Sequence, residues 1–98
     1  MANTKTLNKT KTDITYPNRY RVILFNDDYT PMEFVIKMLI EIFNKDIDTA
    51  TEITMEIHTK GKGIAGIFTM EIAEQKVSEA LISINYHGYN LKISAEPI

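Results

Sequence analysis

At 98 residues with 44% apolar content, the chain has room for one ordinary globular domain with a single core, and not for two. The absence of cysteine excludes disulfides, thiolate catalysis and cysteine-type zinc sites, and no apolar run approaches the roughly 18 residues of a membrane span or the core of a signal peptide, so a cytoplasmic protein is expected. The net charge of −2 is uneven: residues 1–12 carry Lys5, Lys9 and Lys11 and no acid, which leaves 8 of the 11 bases against 13 acids, a net −5 over residues 13–98 and the wrong sign for a nucleic-acid binder.

Residues 1 to about 15 are rich in Thr, Lys and Asn, with Leu7 and Ile14 as isolated large apolar side chains. That is too little burial to offset chain entropy, so residues 1–16 are expected to form a disordered extension and residues 17–98 a single domain. After Pro17 the β-prone run from Arg19 to Phe25 predicts a strand, with Tyr20, Val22 and Leu24 on one face and Arg21, Ile23 and Phe25 on the other.

Asn26-Asp27-Asp28-Tyr29-Thr30-Pro31-Met32-Glu33 then reads as a strand-to-helix junction. Thr30 suits the N-cap, Pro31 the first helical position and Glu33 the capping box. The helix from Pro31 to about Asn44 is almost solidly apolar, with Lys37, Glu41 and Asn44 forming one narrow polar stripe, and is expected to be the centre of the core.

A second helix is expected to start near Asp48, to present Ala50, Ile53 and Ile57 on one face, and to end at Gly61. Lys60-Gly61-Lys62-Gly63 lacks the rest of a Walker spacing and is read as a helix exit. Ile64 to Phe68 predicts a short strand whose Gly66 marks a bulge or a close approach. Thr69 is the expected cap of a third helix that buries Ala73, Val77, Ala80, Leu81 and Ile84 and stops at Gly88. Finally Leu91, Ile93 and Ala95 alternate with Lys92, Ser94 and Glu96, the pattern of a half-buried strand. The order is β-α-α-β-α-β, an α+β domain.

The caps account for Thr30 and Glu33 but leave the carboxylates of Asp27 and Asp28 in surplus. With His58 they offer an oxygen and nitrogen ligand set for a metal, although neither a His-x-x-x-His pair nor an EF-hand loop is present. A two-carboxylate hydrolase needs a cleft for which the chain has little room. A solvated turn is the plainest alternative for the aspartates, and a locally bonded, partly exposed residue at a helix end is that for His58.

The segment Tyr20 to Val35, with Asn-Asp-Asp-Tyr-Thr-Pro-Met-Glu-Phe-Val at its heart, resembles the ClpS family of Clp protease adaptors. Ile57-His58, Gly61, Gly66-Ile67-Phe68-Thr69, Glu71-Ile72-Ala73-Glu74-Gln75-Lys76 and Leu91 fit the same family, so the likeness spans about residues 17–96. The resemblance implies a three-stranded antiparallel sheet with three helices packed on one face. It implies a non-enzymatic adaptor without cofactor or metal, which binds the free N-terminal residue of N-degron substrates and hands them to a hexameric Clp unfoldase.

By the same resemblance, Asn26, Asp27 and His58 hold the substrate α-amino group, so protonation of His58 should weaken binding. Met32 is the gate against β-branched N-terminal residues, and Thr30, Val35, Ile57 and Leu91 line the pocket for Leu, Phe, Tyr or Trp. Thr54 stands in the pocket wall where some relatives have methionine. Glu71 and Lys76 match residues that dock the unfoldase N-terminal domain, and the Lys-Thr-Asn tail matches a flexible extension used in delivery. A similar small fold ends a ribosomal stalk protein, so a structural interaction domain is the second reading and a small metal-dependent hydrolase the third.

Overall fold

The computed structural model describes residues 19–98; the expectations for the N-terminal extension lie outside them. Strand β1 spans Tyr20–Phe25, helix α1 Met32–Glu41, helix α2 Ile47–Lys60, strand β2 Lys62–Phe68, helix α3 Met70–Tyr86 and strand β3 Lys92–Pro97. This is the expected order of elements. The sheet is antiparallel throughout, with β1 in the centre between β2 and β3. Among the described residues, no helix is long and apolar enough to cross a membrane.

The central strand separates two environments. Val22 and Leu24 have no exposed surface and join one apolar cluster with Val35, Met38 and Leu39 of α1, Ala50 and Ile57 of α2, and Ala73, Ala80 and Ile84 of α3. Each fully buried large side chain, such as Leu24, Leu39 or Ile84, contributes about 1.5–3 kcal/mol of transfer free energy. On the opposite face Ile23 stands between Ile64 and Ser94, and Ile64 and Ile67 are exposed.

Several boundaries shift for physical reasons. Thr30 does not cap α1: Pro31 occupies the N-cap position, with no side-chain cap bond. The Thr30 hydroxyl donates instead to Asp27 Oδ2. At its other end α1 stops at Glu41, because Asn44 adopts a left-handed φ of 59° and turns the chain back. Phe43 thereby leaves the helix yet stays buried, its ring 6.2 Å from that of Phe68.

The cap of helix α2 lies two residues before the expected Asp48, and the helix begins at Ile47. Asp46 is its N-cap, accepting the Thr49 backbone N–H at 2.8 Å, while Asp48 falls in the first turn, where the helix dipole favours a negative charge. The hydrogen bonds from Thr49 hold the Asp46 carboxyl below the usual aspartate range. A carboxyl depressed in the folded state stabilises it above the unfolded value of about 3.9, and that contribution disappears as pH falls through the lower folded value. Asp46→Asn should therefore flatten the loss of thermal stability on acidification below about pH 4, measured as melting temperature against pH.

Gly61 closes α2 in the left-handed region at φ 93°, its N–H bonded to Ile57 O at 3.0 Å. In β2 the register slips between Val22 and Ile23, which leaves Ala65 as the extra, bulged residue beside Gly66. Gly66 combines both features expected of it, since a Cβ there would lie 2.6 Å from the Phe68 ring.

Helix α3 is preceded by Thr69 in the N-cap position, without a side-chain bond. Ala73, Ala80 and Ile84 are buried and Val77 half-buried, but Leu81, expected in the core, is 40% exposed. It lies on the flank of α3 that overlooks Ala95 of the edge strand β3 across an open groove. Among the described residues, the three-stranded sheet offers no further strand beyond that edge to cover it.

Candidate functional site

The loop after β1 is tied down at its first residue, where the Asn26 backbone N–H donates to Gly61 O at 2.8 Å. That bond sets the acidic turn against the end of α2, one residue from the start of β2. Antiparallel pairing brings the end of β1 beside the start of β3, since Phe25 is opposite Lys92, and so delivers Leu91 to the same end of the sheet. The first turn of α1 encloses the space from above the loop.

The result is a cavity of about 170 Å³ lined by Asn26, Asp27, Asp28, Thr30, Met32, Val35, Thr54, Ile57, His58 and Leu91. The residues are graded by depth. Asn26, Asp28 and His58 are exposed and Asp27 half-buried, whereas Thr54, Ile57, Leu91 and Val35 are only 3–5% exposed. A polar, acidic mouth thus opens onto an apolar interior, with Met32 at 37% exposure on the rim.

The polar groups of the mouth are arranged as acceptors. Asp27 takes the Thr30 hydroxyl on Oδ2, which fixes the carboxylate and leaves Oδ1 without a hydrogen-bond partner among the described residues. The Asn26 amide nitrogen donates to Asp28 Oδ1 at 3.4 Å, and the Asn26 side-chain oxygen is an acceptor. His58, in the last turn of α2, offers a ring nitrogen. A site with a fixed carboxylate and neutral acceptors around it suits a small cation with several N–H donors, such as an ammonium group. Among the described residues, no group of three His, Cys, Asp or Glu side chains is placed to hold a metal ion.

All nine residues singled out in the sequence for amine and side-chain binding lie around this one cavity. Asp28, not among those nine, lines it as well. The signal for it was the surplus of carboxylates in the turn, where it contacts Asn26 two residues earlier. Glu71 and Lys76 stand apart on α3. Glu71 is exposed in the first turn of the helix. Lys76 is half-buried, and its ammonium donates to Ile42 O at 2.6 Å, stapling α3 to the C-terminal end of α1, where a positive charge also meets the negative pole of that helix.

Comparison with known proteins finds relatives over most of the chain. The model of the family described as ATP-dependent Clp protease adaptor protein ClpS matches residues 15–94. The chain is 44% identical over 82 residues to the ATP-dependent Clp protease adapter protein ClpS of Albidiferax ferrireducens, covering 84% of this chain and 68% of that one. It is 48% identical over 80 residues to the protein of the same name from Helicobacter hepaticus, covering 82% and 81%. Its fold superposes with a TM-score of 0.80 on the solved structure of Agrobacterium tumefaciens ClpS2 bound to L-phenylalaninamide, at 36% identity over 85% of this chain and all of that one.

Proposed function

The chain belongs to the ClpS family of ATP-dependent Clp protease adaptor proteins, and from that premise we propose that it binds the free N-terminal residue of N-degron substrates and delivers them to a Clp unfoldase. The observation that carries this reading is the cavity of about 170 Å³, graded from an exposed mouth rich in hydrogen-bond acceptors to a buried, mainly apolar interior. An N-terminal bulky residue presents the complementary pair, an α-ammonium one bond from the carbon that bears the side chain. L-Phenylalaninamide, bound by the Agrobacterium relative, has that same pair with its carboxyl group blocked.

In this reading Asp27 accepts a charge-assisted hydrogen bond from the ammonium, and Asn26 and a neutral His58 nitrogen complete its shell. Thr30, Val35, Thr54, Ile57 and Leu91 receive the side chain, which contributes roughly 1.5–3 kcal/mol for a Leu or Phe before ordering costs. A charged N-terminal side chain is excluded because it would be buried unpaired against that interior. The role is one of recognition, with no covalent step. Glu71 and Lys76 on α3 serve as the docking surface for the N-terminal domain of the unfoldase. The Lys76 bond to Ile42 gives that residue a second, structural duty.

The test is a titration with short peptides that begin with Leu or Phe, each with a free and an acetylated N-terminus. Acetylation removes the charge and two of the three donors, so affinity should fall at least tenfold. Equal affinity of the two forms would overturn the amine-recognition reading, and a requirement for added divalent metal would favour a hydrolase instead.

A further inference from the structure

The two buried polar residues among those described are Thr30, 9% exposed, and Thr54, 3% exposed, and both line the cavity of the candidate site. Burying a hydroxyl without a partner is unfavourable, so each must be satisfied. Thr30 gives its proton to Asp27 Oδ2. Thr54 gives its proton to the carbonyl of Ala50, one turn earlier in α2, at 2.8 Å. A hydroxyl has one proton to donate and two lone pairs. The Thr54 oxygen, with its proton committed inside the helix, can act toward the cavity only as an acceptor.

Its position along α2 matters as much as its chemistry. Thr54 and His58 are four residues apart on one side of the helix, hence separated by about 6 Å along its axis. His58 is exposed at the mouth and Thr54 is buried. An aromatic side chain whose α-amine sits at the mouth therefore brings its far end to the depth of Thr54, among the apolar walls of Val35, Ile57 and Leu91.

We propose that Thr54 is a specificity-determining residue that makes the cavity favour an N-terminal side chain with a hydrogen-bond donor at its far end, tyrosine over phenylalanine. The inference rests on the proposed recognition of N-terminal residues and adds to it a ranking within that class. The tyrosine O–H donates to Thr54 Oγ1, an interaction that phenylalanine lacks. An otherwise apolar interior would leave the phenol hydroxyl unsatisfied and select against it.

The test compares affinities for two free-amine peptides that differ only in Tyr or Phe at the first position, with the unaltered protein, Thr54→Val and Thr54→Ser. Valine keeps the branched shape and removes the acceptor; serine keeps the acceptor. The preference for Tyr relative to Phe should fall at least fivefold in Thr54→Val and be retained in Thr54→Ser. Binding of both peptides with a Tyr-to-Phe ratio unchanged in Thr54→Val would overturn this assignment and leave the amine-recognition reading standing. Failure of the unaltered protein to bind either peptide would overturn both.

Discussion

Asp27→Ala is expected to weaken binding of a Leu- or Phe-initiated peptide about 100-fold, equivalent to about 3 kcal/mol, while leaving the fold intact. The size follows from asymmetry: the variant removes the anionic acceptor opposite the ammonium but leaves that charge to be desolvated by the rest of the site. The fold survives because Asp27 is a half-buried turn residue outside the apolar cluster. Its one side-chain bond among the described residues, from Thr30, is local. Isothermal titration with the peptide, alongside urea unfolding, separates the two effects. Unchanged affinity would remove Asp27 from the site. A large drop in the unfolding midpoint would instead make it a structural brace.

Met32→Ala is expected to relax discrimination against Ile and Val at the first position by about tenfold relative to Leu. A β-branched side chain is broad next to the backbone, where its second branch must pass the rim of the cavity. Met32 stands on that rim in the first turn of α1, partly exposed at 37%. Truncating it widens the entrance and leaves the interior unaltered, so Leu-peptide affinity should change much less than that of Ile and Val peptides. Competition with a labelled Leu-peptide measures all three. If Ile and Val remain excluded to the same degree, the gate lies elsewhere.

The order of elements was legible because each carries its own local signal. The alternation in Tyr20–Phe25 and in the last strand, the continuous apolar run of α1, and the glycines after α2 and α3 act over a few residues and need no partner. The misplaced boundaries arise where two local signals compete. Asp46 and Asp48 are both able to cap α2. The turn at Asn44, which fixes where the chain re-enters a helix, decides for Asp46. Thr30 has the chemistry of a cap, but Asp27 three residues earlier accepts its hydroxyl. Leu81 matches the apolar spacing of α3 and yet is exposed, because periodicity reports which face of a helix is apolar and not whether anything packs against it.

The candidate site divides in the same way. Residue chemistry and the likeness of the acidic turn to a known family were enough to nominate Asn26, Asp27, Met32, His58 and their neighbours, since these are properties of short segments. Only the folded chain brings together a turn after β1, the far end of α2 and the residue before β3, through the Asn26–Gly61 bond and the antiparallel pairing of Phe25 with Lys92. Short-range bonds orient the donors and acceptors. Asp28 holds the Asn26 amide, Thr30 fixes Asp27, and Ala50 takes the proton of Thr54. Hydrogen bonds are directional over about 3 Å, and these three join residues two to four apart in sequence; what residue spacing does not supply is their convergence on one cavity.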